Sequence, residues 1–292
     1  MLLQFNIKEN AMQRNKLRLL IPIVTLLLNL VSALYVQTTQ NGLIQTSADT
    51  KDKTHFMNIW LIYLIPLVLL FVLPLHFKFQ PLIQKPLKSE RILLILGVLY
   101  IVLVFLTPKP YFELFYIYKF VLLLLIPLWI IKREKLSILS KANPVIDWSL
   151  APIVYVIWLV LYFSPLNNLS HISYDEPYLF VLIFAIISIL MNAVLEEVFY
   201  RVWLQTRLEH LGIVSSVCIS TVLWSLWHAG IQGQGNLLDL SAQALVTHAL
   251  AGIFLGFFWA KYRNIYLLIL IHICMNFPLY LITYWSKFLP FL

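Results

Sequence analysis

The sequence has few charged residues for its length. Asp, Glu, Lys and Arg make up 12% of its 292 residues, whereas a soluble domain of this size carries about 25%. Hydrophobic residues reach 61%, and the mean hydropathy is +0.85. No polar stretch is long enough for a separate soluble domain. This composition excludes an ordinary soluble enzyme and predicts a membrane protein.

Signals for metal ligation and for nucleic-acid binding are also missing. The two cysteines, Cys218 and Cys274, lie in apolar segments and have neither a disulfide nor a zinc spacing. There is no His-Glu-x-x-His pattern. The net charge of +8 is spread over short loops, without a basic patch interleaved with aromatic residues. We therefore expect no cofactor, no metal and no nucleic-acid partner.

Long apolar runs predict an all-α, polytopic bundle of transmembrane helices, because about 20 helical residues cross a hydrocarbon core. The third and fifth runs are short, so the number of spans is eight or nine. The predicted spans are 17–36, 57–77, 92–107, 112–131, 150–164, 178–209, 213–228, 242–260 and 265–285.

The placement of positive charge predicts a cytoplasmic amino terminus. Most lysines and arginines fall in the segments that this orientation places inside, in agreement with the positive-inside rule. A cleavable signal peptide ending near Ala33 is the less favoured alternative. The polar loop 37–56 is predicted to be a flexible outer connector. Lys119 lies in the middle of the fourth predicted span, where it is interpreted as snorkelling or pairing locally.

The strong polar motifs all follow the basic loop near residue 140. We therefore divide the chain into an amino-terminal transmembrane bundle, residues 1–149, and a functional core, residues 150–292. No internal repeat indicates the paired halves of a transporter.

The first motif is Glu196-Glu197-x-x-x-Arg201, inside an apolar segment. A single carboxylate at bilayer depth costs roughly 2.5 kcal/mol or more, so two adjacent ones indicate a polar cavity. Glu197 and Arg201 are four residues apart and can pair on one helix face. If the helix continues to about residue 209, Glu196 lies roughly 20 Å from its inner end. The alternative is a solvated carboxylate pair at a helix end.

Two further motifs, Trp224-x-x-x-His228 and His272-x-x-x-Asn276, also join polar groups on single helix faces. Their depths of roughly 22 Å and 11 Å allow them to converge with Glu196 on one cavity. A glutamate can then deprotonate water, while histidine and asparagine donate hydrogen bonds to a developing oxyanion. A lone histidine in an apolar helix is usually structural, and His248 is interpreted in that way.

The three motifs, in this order on late helices, resemble the CAAX protease and bacteriocin-processing family of intramembrane proteases. Type II CAAX prenyl endopeptidases belong to that family. The resemblance covers about residues 178 to 285, and Trp224 stands where the family usually has phenylalanine. It implies Glu196 as general base, Glu197 with Arg201 as a supporting pair, His228 at the water, and His272 with Asn276 at the oxyanion.

The resemblance implies a membrane-associated substrate in the lipid bilayer, such as a bacteriocin or signal-peptide precursor or a lipidated CAAX-like tail. The compact chain looks more like the bacterial branch, which predicts a multi-pass protein of the bacterial plasma membrane. Zinc ligation by glutamate and histidine stays open as an alternative. Two other functions compete with proteolysis: a non-catalytic immunity or scaffold protein of the same fold, and a proton-coupled transporter.

Overall fold

A computed structural model of the chain describes residues 2–45, 53–73, 80–108, 111, 113–134, 151–167, 178–231 and 235–276. The described residues are overwhelmingly helical, in agreement with the predicted all-α polytopic bundle. Five helices are long and apolar enough to cross a membrane, and four shorter apolar helices accompany them. The number of spans and the side on which the termini lie stay predictions.

Among the residues that the structure describes, the first half of the chain contains five helices and a pair of strands. Three helices are interrupted by a proline or a change of helix type, but continue through it. In chain order, the seven elements are α1 (Leu2–Gln40), β1 (Leu43–Gln45), β2 (Lys53–His55), α2 (Phe56–Val72), α3 (Lys88–Leu106), α4 (Leu114–Arg133) and α5 (Ala151–Tyr162). Within α4, Lys119–Leu125 is π-helical.

In the described part of the second half, four helices follow. The first of them, α6, changes helix type along its length. It is α-helical over Tyr178–Ser188, π-helical over Ile189–Val194 and again over Glu197–Gln205, α-helical over Thr206–Leu208 and 3-10 helical over Glu209–Leu211. The others are α7 (Ile213–Ala229), α8 (Leu237–Tyr262) and α9 (Ile265–Asn276). Each predicted span therefore overlaps one helix, although residues 277–285 of the last lie outside the described residues.

Local sequence sets several helix boundaries. Gly212 adopts a φ of 102°, which favours glycine, and this turn separates α6 from α7. Asn236 and Asp239 form a reciprocal capping box at the start of α8. The prediction of a flexible connector over residues 37–56 is wrong for the described residues 37–45 and 53–56, because α1 continues to Gln40 and β1 pairs antiparallel with β2. Polar composition alone does not reveal a pair of strands of only three residues each.

Helices α7 and α8 form the most extensive helix pair of the bundle. Their close approach depends on Gly252 and Gly256 of α8, which lie against Thr221 and Val217 of α7. Small residues four apart allow helix backbones to come close in membrane proteins. This contact brings the second predicted motif against α8.

We expect Gly256→Ala to destabilise the protein by about 1–3 kcal/mol through overpacking. An added Cβ would lie 2.8 Å from Cγ1 of Val217 and 3.0 Å from Oε1 of Gln205. Gly97→Ala is the matched control, since its nearest neighbour would be 3.6 Å away, an ordinary contact. Thermal unfolding in detergent should separate the two variants. Equal stability of both would contradict the close α7–α8 contact.

Ion pairs at the carboxyl end of α6 join it to the first half of the chain. Arg207 pairs with Glu134 at 3.1 Å, and His210 lies 2.7 Å from Glu90. Glu209 pairs with Arg263 of the second half at 2.6 Å, and its Oε2 accepts a hydrogen bond of 2.7 Å from the backbone N–H of Leu82 in the first half. Burial alone would raise the pKa of Glu134, but hydrogen bonds from Ser89 and Arg207 outweigh it and lower that pKa. These contacts connect the two predicted domains, whose division into residues 1–149 and 150–292 stays a prediction.

Candidate active site

Both glutamates of the first motif are buried inside the bundle. Glu196 is 1% exposed and Glu197 is 0% exposed. The predicted continuation of their helix is confirmed, since α6 extends to Leu211. The glutamates therefore lie well inside the helix and not at a solvated end, which excludes the interpretation of a surface pair.

Glu196 is held by residues from two other helices. Its Oε1 accepts a hydrogen bond of 2.6 Å from Nζ of Lys119, on α4. Its Oε2 accepts one of 2.5 Å from the indole Nε1 of Trp224, on α7. Lys119 also donates to Oδ1 of Asn192, one turn before Glu196. The carboxylate is thus fixed in orientation on both oxygens.

Glu197 projects toward a different set of partners. Its Oε1 lies 2.6 Å from Nδ1 of His272, on α9. Its Oε2 is 3.4 Å from Nε of Arg201, an ion pair without a well-aligned hydrogen bond. Arg201 in turn donates to Oγ of Ser220 at 2.9 Å. The predicted pairing of Glu197 with Arg201 is present, and Glu197 also orients the histidine of the third motif.

The indole of Trp224 is the point at which the three motifs meet. Its ring centroid lies 4.9 Å from that of His228, 5.7 Å from His248 and 5.8 Å from His272. The rings of His228 and His248 stack, with centroids 3.9 Å apart. Glu196 binds the Nε1 of the same indole. Residues from α6, α7, α8 and α9 are therefore in one cluster.

The hydrogen bond of His228 determines its tautomer. Its Nδ1 lies 2.8 Å from the backbone carbonyl oxygen of Trp224, which can only accept. The proton is therefore on Nδ1, and Nε2 of the neutral ring is an acceptor. An acceptor in this position can hold a water molecule, as the prediction for His228 requires.

A cavity of about 80 Å³ adjoins this cluster and has room for a few water molecules. Its polar lining includes His228, His248, His272 and Asn276. Neither Nε2 of His248 nor Nδ2 of Asn276 has a hydrogen-bond partner among the described residues. Neither glutamate lines the cavity, but each bonds a residue that does: Glu196 accepts from Trp224, and Glu197 bonds His272. The cavity thus offers unpartnered polar groups to a buried ligand.

The structure brings together all six predicted site residues, and their chemical roles stay predictions. These residues are Glu196, Glu197, Arg201, His228, His272 and Asn276. Sequence reasoning missed three contacts of the site. They are the hydrogen bond of Lys119 to Glu196, the hydrogen bond of Trp224 to Glu196, and the stacking of His248 on His228. A lysine within an apolar span was the available signal for the first, because charged groups at that depth need a partner.

The described residues contain no group of three or more His, Cys, Asp or Glu side chains arranged to hold a metal ion. Glu197 and His272 bond to each other, and Glu196 is engaged by Lys119 and Trp224. Metal-free chemistry stays a prediction.

Comparison with known families agrees with this geometry. Residues 178–278 match the family described as type II CAAX prenyl endopeptidase Rce1-like. Over this segment, the chain is similar to the Rce1-like family. The Rce1-like segment contains all six predicted site residues and leaves α1 to α5 outside. The family is one of proteases, and its segment here lies in an integral membrane protein. No curated protein and no solved structure matches the chain.

Replacement of Trp224 by phenylalanine tests the indole hydrogen bond of the Rce1-like site. Trp224→Phe keeps an aromatic ring but removes the donor to Glu196. A hydrogen bond to a charged group contributes about 1.5–3 kcal/mol, so we expect activity to fall about 10- to 100-fold. Trp259→Phe is the control, because Trp259 donates to Thr206 instead. Equal activity of both variants would show that the indole only packs.

Proposed function

We propose that the protein is an intramembrane endopeptidase that hydrolyses a peptide bond in a membrane-associated peptide or protein, with water activated by Glu196. One observation carries this proposal: Trp224 hydrogen-bonds Glu196 at 2.5 Å, while its ring contacts the cavity residues His228 and His272. The similarity of the Rce1-like segment to a protease family supports it.

In the proposed reaction, Glu196 removes a proton from water as the water oxygen attacks the scissile carbonyl carbon. Each oxygen of the carboxylate has a further lone pair beside those used by Lys119 and Trp224. The Nε2 acceptor of His228 orients the water. Trp224 lines the cavity and bonds Glu196, and the water would reach the carboxylate past the edge of this indole.

The attack converts the carbonyl oxygen into an oxyanion. Nδ2 of Asn276 is an unpartnered donor at the cavity and would bind this oxyanion. His272 bonds Glu197 through Nδ1, which fixes the orientation of its ring at the cavity. Collapse of the intermediate breaks the C–N bond, and Glu196 returns its proton to the leaving amine.

The walls of the cavity support a substrate with an apolar segment. Ile59 and Ile62 of α2 line the cavity, together with the aromatic side chain of Tyr63. Buried apolar surface of this kind suits aliphatic side chains or a lipid chain. We propose bacteriocin or signal-peptide precursors and CAAX-like tails as substrate classes, at a bacterial plasma membrane.

Hydrolysis in proteoliposomes tests the function directly. The full chain is mixed with quenched peptides, one farnesylated at a carboxyl-terminal CAAX sequence and one amphipathic without lipid, in water enriched in ¹⁸O. We expect cleavage of at least one peptide, with ¹⁸O in the new carboxylate, and none with Glu196→Gln vesicles. Binding without cleavage would favour the scaffold function, and uptake driven by a pH gradient would favour transport.

A further inference from the structure

Lys119 belongs to the first half of the chain and is a fully buried cation at the candidate active site. It lies on the π-helical segment Lys119–Leu125 of α4, outside the Rce1-like segment 178–278. Its side chain is 0% exposed, so it does not snorkel to an interface. The sequence interpretation of local pairing is also incomplete, since its carboxylate partner is 77 residues away.

The contacts of Lys119 are those of a built site. Nζ donates 2.6 Å to Oε1 of Glu196 and 2.7 Å to Oδ1 of Asn192. The same nitrogen lies 4.0 Å from the ring centroid of Trp227, which is next to His228. Two hydrogen bonds and a cation–π contact orient the ammonium group from three directions. Such a geometry is specific for one position of the Glu196 carboxylate.

The charges of the site balance only when Lys119 is included. The two adjacent carboxylates each have one cation: Glu197 has Arg201, and Glu196 has Lys119. An unpaired buried carboxylate is costly, and removal of one partner from a buried pair leaves an uncompensated charge. The Rce1-like segment alone supplies Glu196 with an indole donor but, among its described residues, with no cation in ion-pair contact.

We infer that Lys119 is a positioning residue of the active site: it compensates the charge of Glu196 and fixes Oε1, so that the remaining lone pairs meet the water in one orientation. This inference rests on the proposed function, in which Glu196 is the base. The amino-terminal bundle is then part of the catalytic unit and not only a membrane anchor.

Lys119→Met tests this role in the full chain, with the peptide cleaved by the wild-type protein as substrate. We expect kcat to fall about 100-fold or more, since one electrostatic contact at a reacting centre contributes on that order. KM should change less than about threefold, because Lys119 contacts Glu196 and not the cavity. Lys119→Arg keeps the charge and should restore kcat to within about tenfold of wild type.

The control is Lys261→Met, which removes another buried lysine. Lys261 lies in the last turn of α8 and bonds the backbone oxygen of Leu70 on α2. It should keep the wild-type kcat. Where Lys119→Met does not fold, Lys119→Gln retains an N–H donor without the charge and should show the same loss of kcat. Melting temperature in detergent distinguishes lost folding from lost catalysis.

The double variant Glu196→Gln/Lys119→Met separates the two proposals. Because Lys119 acts through Glu196, the double variant should be no less active than Glu196→Gln alone. Wild-type kcat in Lys119→Met, or equal losses in folded Lys119→Met and Lys119→Arg, would overturn the positioning role. Activity of Glu196→Gln would instead overturn the proposed function, whatever the Lys119 variants do.

Discussion

Glu196→Gln is expected to lower kcat for peptide hydrolysis by about 10²- to 10⁴-fold, the usual contribution of a positioned general base. Glutamine has nearly the same shape, so the hydrogen bond from Trp224 can persist. Its amide cannot accept a proton from water at neutral pH. The measurement is steady-state cleavage of the quenched peptide by purified protein in vesicles of fixed lipid composition.

Two controls make this result specific. Glu90→Gln removes another buried glutamate, which pairs with His210 near the end of α6, and should leave kcat unchanged. The double variant Glu196→Gln/Lys119→Met removes both charges of this pair and leaves neither partner unpaired, so it should be folded and still inactive. Substantial hydrolysis by folded Glu196→Gln would refute Glu196 as the base.

Arg201→Met is expected to reduce the free energy of unfolding by about 3–5 kcal/mol, the cost of breaking a buried ion pair on one side. Arg201 and Glu197 are both 0% exposed. Loss of Arg201 leaves Glu197 with His272 and also removes the hydrogen bond to Ser220. Unfolding in a detergent titration measures this change.

A double-mutant cycle distinguishes the pair from general packing damage. Glu197→Gln/Arg201→Met removes both charges and should be more stable than Arg201→Met alone. Arg207→Met is the comparison at the helix end, where its partner Glu134 is 18% exposed, and should cost less. If the double variant is no more stable than Arg201→Met, the ion pair is not coupled as the geometry indicates.

The predicted helices and site followed from strong, local signals. Apolar runs of helical length predicted the spans, and each overlaps a helix because a membrane requires backbone groups to bond within the segment. The pairing of Glu197 with Arg201 followed from their i, i+4 spacing, which any helix places on one face. The strands β1 and β2 have no such signal, because strands of three residues each are too short to show a hydrophobic period.

Partners from distant parts of the chain were less accessible. The interpretation of His248 as structural did not include its stacking on His228, which depends on the close approach of α7 and α8 at Gly252 and Gly256. Lys119 was recognised as unusual, but α4 had no motif that named its partner. No sequence signal predicts the hydrogen bond of Trp224, because the direction of its N–H depends on its rotamer and its neighbours.

The amino-acid order by itself determined that this is a multi-pass helical protein with two carboxylates, histidines and an amide at membrane depth. Composition and helical periodicity are sufficient for that, since both act within single segments. Only the tertiary structure decided that Lys119 faces Glu196, that Glu197 holds His272, and that Trp224 joins the three motifs. Those contacts depend on how helices pack at side-chain resolution, and packing is a property of pairs of segments that no one segment encodes.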